Sequence, residues 1–158
     1  MLAANLVIRH PRADERPDWE PLWKGYQAFY KVVISHETTS ATWARLHDPN
    51  EPMGILGAYV DGRLCGFAHY LFHRSCWTIG DYCYLQDLFV AENARNLGLG
   101  RALIAAVEAQ ARRGARAGSI GSPTRAMRAR GRYTRSWRSA LGSSNIANFF
   151  DAIREGRT

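Results

Sequence analysis

The residues of this chain that could do chemistry are concentrated between Tyr84 and Arg101. Tyr84 to Val90 is a short run of apolar, β-branched and aromatic residues, which predicts a buried strand. A polar turn follows, and Gly98 and Gly100 then open a segment with apolar residues at helical spacing. Glycines at a helix N-terminus leave the free N–H groups of the first turn open to an anion. The pattern therefore predicts a site for a phosphorylated ligand such as a pyrophosphate.

The same glycines have other interpretations, of which an ordinary strand-to-helix turn stays open. A nucleotide P-loop is excluded because no Gly-Lys-Ser/Thr follows them. A Rossmann site needs three spaced glycines and an acidic residue about 20 positions further on. Nothing acidic lies between Glu108 and Asp151, so that interpretation fails too. What remains is the pattern Arg/Gln-x-x-Gly-x-Gly/Ala, which Arg95, Gly98 and Gly100 match.

The segments before this unit predict the elements that position it. Leu6 to Arg9 is typical of a first strand, and Asp18 to Tyr30 has apolar residues at helical spacing. Ser40 is predicted to be the N-cap of a second, short helix that ends before Pro49. We therefore expect a strand and two helices before the central strands.

A hairpin and a final helix complete the expected core. Two strand-like runs, Gly54 to Val60 and Leu64 to Phe72, flank Asp61-Gly62, a dipeptide that favours a tight hairpin turn. The helix that opens near Leu99 is expected to stop at Gly114. The order of strands and helices indicates an α/β domain.

Taken together, these segments resemble the GNAT superfamily of N-acetyltransferases, in which Leu-Phe-Val on a strand precedes the glycine loop. The branch named for histone and polyamine acetylation is most similar. Its Trp-Ala-Arg-Leu, Gly-Phe-Ala-His-Tyr and Tyr-Leu-x-Asp-Leu-Phe-Val stretches correspond here to Trp43 to Leu46, Gly66 to Tyr70 and Tyr84 to Val90. The resemblance implies a GNAT-type α/β fold with a mixed, mostly antiparallel central sheet flanked by helices.

The resemblance also implies the ligands and their sites. It implies acetyl-CoA as co-substrate and, as acceptor, a primary amine of a polyamine, a small amine or a lysine side chain. No metal is implied. The backbone of Leu88, Phe89 and Val90 is expected to flank the pantetheine arm and the thioester. The loop expected to hold the pyrophosphate consists of Arg95, Asn96, Leu97, Gly98, Leu99, Gly100 and Arg101.

Asp87 is the candidate catalytic residue. It alternates with Leu88 along the strand and could orient or deprotonate the incoming amine, directly or through water. An acidic residue on a sheet surface is the alternative.

Other polar residues near this unit have ordinary structural interpretations. His36 and Glu37 follow the first helix and are interpreted as part of a solvated loop, although the family receives its acceptor nearby. His69 and His73 share a strand face and are interpreted as sheet histidines, too few for a metal site.

The end of the chain differs from the rest in charge. Up to Glu108 there are 10 Lys and Arg against 12 Asp and Glu, whereas from Ala109 onward there are 11 against 2. Arg116 to Ser144 has neither strand nor sustained helical periodicity, a composition typical of disordered or nucleic-acid-associated segments. We therefore divide the chain into a GNAT core, 1–116, and a basic, atypical C-terminal segment, 117–158. A basic-tailed module that binds nucleic acid or anionic surfaces is the alternative function, although the core makes nucleic acid the less favoured partner.

The atypical segment also lacks what the family has there. A member of this branch is expected to continue with a fifth strand, a Leu-Thr-His-Glu-x-Asn segment, a helix with Leu-Tyr and a strand opening Gly-Phe. None is present in order. When Gly121 to Asn148 is back-translated and read from the third base of each codon, permitted codon choices give the Leu-Thr-His-Glu-x-Asn, Leu-Tyr and Gly-Phe motifs in that order. Our hypothesis is a frameshift near residues 116 to 121. By resemblance the proton-donating tyrosine and its asparagine partner fall in the replaced segment, where Tyr133 has the wrong neighbours, so we expect impaired activity.

The length and hydrophobic content of the chain predict a single domain, and its few cysteines are typical of a protein from a reducing compartment. The chain has 158 residues, 46% of them hydrophobic, which suffices for a core. No apolar run approaches the ~20 residues of a membrane span, and the first residues are not a signal peptide. Cys65, Cys76 and Cys83 are interpreted as reduced core thiols of a cytoplasmic protein, with a disulfide or a metal site as the alternative. Family members of this branch often pair through the C-terminal strands, so a homodimer is doubtful here and weak self-association is expected.

Overall fold

The computed structural model describes residues 5–74, 76 and 79–116. Tyr133 and the rest of the atypical segment, 117–158, therefore lie outside the described residues. The described strands and helices follow one another in the predicted order. Its elements are β1 (Leu6–Arg9), α1 (Arg16–Tyr30), α2 (His36–Leu46), β2 (Met53–Val60), β3 (Arg63–His73), β4 (Tyr82–Val90) and α3 (Leu99–Arg116), with 3-10 turns at Ala13–Glu15 and Glu92–Ala94.

The four described strands form one antiparallel sheet in the order β1-β2-β3-β4. The predicted hairpin is confirmed: β2 and β3 meet at Asp61 and Gly62, whose φ angles are 48° and 80°. Positive φ at both central positions is what a type I′ turn requires, and its twist matches that of the flanking strands. Neighbours in sequence are thus neighbours in the sheet.

The sheet buries both of its faces. One face packs against α3, where Leu103 and Val107 have no exposed surface. The other face packs against α1 and α2 through an aromatic layer in which Trp19 and Phe67 are completely buried. Alternation along each strand sends successive side chains to opposite cores. The protein is a three-layer α/β fold, as predicted.

Helix α1 contributes most of the aromatic layer. Its rings stack along one face, with Trp19 and Trp23 centroids 5.8 Å apart and Trp23 and Tyr26 centroids 5.3 Å apart. The spacing of three and four residues puts these side chains on the same side of the helix. Gly25 brings the helix close to the sheet, since a Cβ there would lie 2.9 Å from the Phe89 ring. The helix ends at Lys31, which adopts the left-handed conformation.

Helix α2 begins earlier than predicted. Ser35, not Ser40, is its N-cap, and the Ser35 Oγ accepts a hydrogen bond from the Thr38 N–H at 3.0 Å. The prediction that Ser40 caps the helix is wrong because Ser35 already provides a cap one turn upstream. His36 and Glu37, expected in a loop, lie exposed in the first turn of α2.

Helix α3 continues beyond its predicted stop. Gly114 was expected to end the helix, but the helix runs through it to Arg116. A glycine ends a helix when it turns left-handed; one that stays helical costs only about 1 kcal/mol relative to alanine. The apolar stripe of α3 outweighs that cost.

A buried carboxylate joins β1, the first 3-10 turn and β2. The Arg9 guanidinium donates to both oxygens of Glu15, at 2.8 and 2.7 Å, and stacks 3.7 Å from the Tyr59 ring centre. The Tyr59 hydroxyl and the Arg12 N–H also donate to Glu15, at 3.0 and 2.7 Å. The hydrogen bonds from Arg9 above all lower the pKa of Glu15 to about 2. Four donors on one carboxylate hold the start of the chain on the sheet.

Replacing this carboxylate is expected to destabilise the fold. We expect Glu15→Gln to lower the free energy of unfolding by about 2 kcal/mol, the scale of a hydrogen bond to a charged group. Because the folded pKa is lowered, the wild-type advantage is fully present above pH 4.5 and is lost as the pH falls toward about 2. Urea unfolding of both proteins between pH 7 and pH 2.5 measures this. Asp14→Asn, which removes a largely exposed ion pair, is the control, and an equal loss in that variant would contradict the assignment.

Candidate active site

Strand β4 has a bulge next to Asp87, the predicted catalytic residue. The register changes between His69, which pairs with Asp87, and Tyr70, which pairs with Leu85, so Gln86 is an extra residue in β4. Leu85 and Leu88 consequently both face the α3 core, although an uninterrupted strand would put them on opposite sides. Asp87 points instead into the aromatic layer under α1.

The Asp87 carboxylate is held by two elements. The Tyr26 hydroxyl of α1 donates to Asp87 Oδ1 at 2.6 Å, and His69 Nδ1 of β3 lies 2.9 Å from Oδ2. The Asp87 side chain keeps 13% of its surface exposed. The structure thus makes Asp87 a fixed carboxylate with an exposed remainder, instead of an acidic residue on an open sheet surface.

The fourth member of the cluster, after Asp87, Tyr26 and His69, is an indole. The Trp19 Nε1–H donates to His69 Nε2 at 3.2 Å, and both side chains are buried. Trp19, His69 and Tyr26 come from α1 and β3, far from Asp87 in sequence. They were not predicted as site residues. The signal that could have found them is the antiparallel pairing of β3 and β4, which brings His69 opposite Asp87 once the bulge is included.

The backbone of β4 next to Asp87 directs polar groups to the edge of β4 opposite β3, with which no described strand pairs. The Ala91 N–H donates to the Cys65 carbonyl at 2.9 Å, and the Phe89 carbonyl lies against Gly66. In an antiparallel strand, the N–H and C=O of one residue point to the same edge and those of its neighbours point to the other. The backbone groups of Leu88 and Val90 therefore point away from β3. This orientation suits hydrogen bonding to a pantetheine arm and its thioester carbonyl.

The predicted phosphate loop has the backbone geometry of an anion site. Asn96 and Gly98 have φ angles of 65° and 79°, and a Cβ on Gly98 would meet no described atom within 4 Å. The Ala102 N–H donates to the Gly98 carbonyl at 3.0 Å. The helical hydrogen bonds begin there, so the N–H groups of Leu99, Gly100 and Arg101 have no acceptor within α3. Turns of this kind gather donors into a concavity that favours phosphate.

Arg95 adds an unsatisfied donor to the same loop. Its Nη1 lies 3.5 Å from Glu92 Oε1, whereas its Nε is buried without a hydrogen-bond partner among the described residues. A buried N–H ordinarily has an acceptor, and a phosphate oxygen would supply one here. The residues present therefore fit the pyrophosphate of a coenzyme A group.

The loop residues contribute in different ways. Leu99 is 2% exposed and packs in the α3 core, so only its backbone is open to a ligand. Leu97 is 55% exposed, and the Arg101 side chain is also exposed. Phe89 turns its side chain toward α1, which leaves its neighbours Leu88 and Val90 to offer backbone groups at the edge. Asp87, the outward-facing backbone of β4 and the loop thus follow one another along the chain, between β4 and the start of α3.

Comparison with known proteins matches this architecture. The acetyltransferase (GNAT) family profile matches residues 19–133, most of the chain. The chain belongs to the GNAT acetyltransferase family. The D-amino-acid N-acetyltransferase HPA3 of Saccharomyces cerevisiae is 37% identical over 113 residues, which are 70% of this chain and 70% of that protein.

Solved GNAT structures share the fold. The aminoglycoside N-acetyltransferase AAC(6')-Iy in complex with CoA is 21% identical, with a TM-score of 0.64 over 90% of each chain. An aminoglycoside acetyltransferase from an uncultured soil metagenomic sample, in complex with sisomicin, is 16% identical, with a TM-score of 0.59 over 89% of this chain and 90% of that one. The predicted GNAT-type fold is confirmed.

Family membership also settles the general chemistry. The chain is an N-acetyltransferase of the GNAT family, with acetyl-CoA as its co-substrate, as predicted. Of the helices in the described part of the chain, none is both long and apolar enough to cross a membrane.

The phosphate loop can be tested through its second glycine. Gly100→Val places two methyl groups beside the N–H groups that are predicted to bind the pyrophosphate. We expect the Kd for CoA to rise at least tenfold, about 1.4 kcal/mol, in calorimetric titration. Ala105→Val, which introduces the same side chain at an exposed position of α3, should leave that Kd unchanged. Equal affinities of the folded Gly100→Val variant and the wild type would refute the assigned loop.

Proposed function

We propose that this GNAT acetyltransferase transfers the acetyl group of acetyl-CoA to a primary amine that binds at Asp87. The observation that supports this is the Asp87 carboxylate, held from two sides and immediately followed by the outward-facing backbone of Leu88. The acceptor carboxylate and the expected thioester position are thus adjacent in the chain. Such adjacency would bring the amine and the acetyl carbon together.

The charge of the cluster suits an amine. Among the described ion pairs, Asp87 has no lysine or arginine partner, and its one basic neighbour is His69. The Trp19 indole N–H donates to His69 Nε2, so the lone pair of that nitrogen faces Trp19 and Nδ1 faces the Asp87 carboxylate. The cluster therefore carries a net negative charge, which favours an ammonium group of the acceptor.

Acetyl transfer from this arrangement needs three functions. Acetyl-CoA supplies the acetyl group as a thioester. Asp87 accepts one proton from the bound ammonium, directly or through water, and the neutral amine nitrogen then forms a bond to the carbonyl carbon as the carbon–sulfur bond breaks. The nitrogen releases a second proton as the amide forms. The backbone N–H groups of Leu88 and Val90 would stabilise the negative charge on the carbonyl oxygen. The leaving thiolate needs a proton from another group.

The acceptor class is proposed as a primary amine of a polyamine, another small molecule or a lysine side chain. The similarity to the histone and polyamine branch supports this class. The names of the similar proteins also point to amines, since one is a D-amino-acid N-acetyltransferase and another an aminoglycoside N-acetyltransferase. A panel of spermidine, a lysine peptide and D-alanine would separate these acceptors.

We also propose that residues 1–116 form the acetyltransferase core and that 117–158 is the product of a frameshift. The charge excess after Ala109 and the motifs readable from third codon bases support this proposal. By resemblance, the tyrosine that protonates the thiolate falls in the replaced segment. Weak self-association is proposed on the same basis. Salt-dependent binding to arbitrary DNA would instead favour a basic-tailed binding module.

Asp87→Asn tests the amine site. The amide keeps the size of the side chain and an oxygen for His69, but removes the negative charge. We expect kcat/KM for the amine to fall about 100-fold, the low end for loss of a general base, with an unchanged Kd for CoA. Asp61→Asn, in the exposed β2–β3 turn, is the matched control. Retention of full activity by Asp87→Asn would exclude Asp87 from the reaction.

Restoring the reading frame tests the C-terminal proposal. Relative to the present chain, a version carrying the alternative frame from residue 121 should gain about 10²- to 10⁴-fold in acetyl transfer, the contribution of a general acid. Calorimetry should show similar CoA affinities for the two proteins. Equal rates would show that the missing tyrosine is dispensable or replaced, and an encoding DNA that does not permit those motifs would refute the frameshift itself.

A further inference from the structure

We propose that His69 is a positioning residue for Asp87, and that Trp19 acts on it by fixing its neutral, Nδ1-protonated tautomer. This inference rests on the proposed role of Asp87 at the acceptor amine. The arrangement runs from the indole N–H of α1 through the imidazole of β3 to the carboxylate of β4.

The imidazole is fixed in place by its surroundings. His69 is 3% exposed, and its ring lies 4.5 Å from the Phe67 ring and 5.2 Å from the Trp23 ring, centre to centre. Trp19, at the far end of the ring, has no exposed surface. A ring enclosed by three aromatic side chains cannot rotate to exchange its two nitrogens without moving a neighbour. Each nitrogen therefore keeps its own partner.

The partners determine where the proton lies. An indole N–H is a donor only, so His69 Nε2, 3.2 Å from Trp19 Nε1, must present its lone pair. The single proton of the neutral ring is then on Nδ1, which donates to Asp87 Oδ2 at 2.9 Å. The opposite tautomer would bring two donors together at Trp19 and a lone pair against the carboxylate at Asp87. Trp19 thereby selects the form of His69 that bonds to Asp87.

Fixing a neutral histidine has a specific consequence for the acceptor. A cationic imidazole would pair with Asp87 and cancel its charge, whereas the neutral ring orients the carboxylate and leaves its charge for the amine. Tyr26 fixes the other oxygen, Oδ1, from α1. The two donors together hold the plane of the carboxylate relative to the β4 edge.

The tautomer can be observed without any reaction. Long-range proton–nitrogen NMR of the wild-type protein at neutral pH should show a protonated Nδ1 and an unprotonated Nε2 for His69. In Trp19→Phe, which removes the indole N–H, we expect an Nε2–H signal to appear beside the Nδ1–H that Asp87 still accepts. His73, exposed on the same strand, is the reference. A wild-type His69 with protonated Nε2 would overturn the proposal.

Two amide variants of His69 test whether it positions Asp87, because each keeps an N–H donor near only one of the two ring nitrogens of histidine. His69→Asn keeps an N–H near Nδ1, whereas His69→Gln places it near Nε2 and leaves Asp87 Oδ2 without its donor. We expect His69→Gln to lower kcat/KM for spermidine about 10- to 100-fold, the scale of losing a hydrogen-bonding partner that orients a metal-binding histidine. His69→Asn should recover most of that loss, and the Kd for acetyl-CoA should be the same in all three proteins.

The outcomes separate this inference from the proposed function. Equal losses in both variants, or no loss in either, would overturn the positioning role, provided that circular dichroism and CoA binding show folded proteins. His73→Asn should behave as the wild type. If neither the present chain nor the version with the restored frame acetylates an amine of the panel, the proposed acceptor is wrong. The proton–nitrogen NMR signals of His69 then still decide whether Trp19 fixes the tautomer that bonds to Asp87.

Discussion

The site depends on one extra residue in β4. Without the bulge at Gln86, strict alternation would place Asp87 on the same face as Leu85, in the apolar α3 core, where a carboxylate has no donor. The bulge lets Leu85 and Leu88 both enter that core while Asp87 and Phe89 face α1. The bulge thus determines that the Asp87 carboxylate lies on the α1 side of the sheet and not on the α3 side.

The aromatic layer under α1 must then satisfy that charge. A carboxylate beside buried rings is stable only if donors compensate for the lost water, and Tyr26 and His69 donate to its two oxygens. Both donors also pack as rings: Tyr26 stacks on Trp23, and His69 lies against Phe67. The same side chains therefore build the core and hold Asp87. Packing changes in α1 would alter the orientation of the carboxylate even without contact with it.

Local patterns in the sequence predicted most of the fold. The strands, the Asp61-Gly62 turn and α3 follow from alternation, turn chemistry and helical spacing over a few residues, and the structure confirms them. The start of α2 and the end of α3 were misplaced because Ser35 and Ser40 are both good caps and Gly114 suits either a cap or a helix. Sequence alone does not rank such local alternatives, since packing elsewhere decides between them.

The pyrophosphate loop could be predicted from a short stretch of sequence, whereas the acceptor cluster could not. The pyrophosphate half uses backbone N–H groups of one loop and one helix start, so a short stretch from Arg95 to Arg101 is enough to predict it. The acceptor half joins Trp19, His69 and Asp87 across three elements, and no periodicity connects them. A donor site built from backbone tolerates changes in distant packing, whereas a carboxylate positioned through a histidine depends on every layer between α1 and β4. Loss of correct packing should therefore impair acceptor recognition before it impairs the binding of CoA.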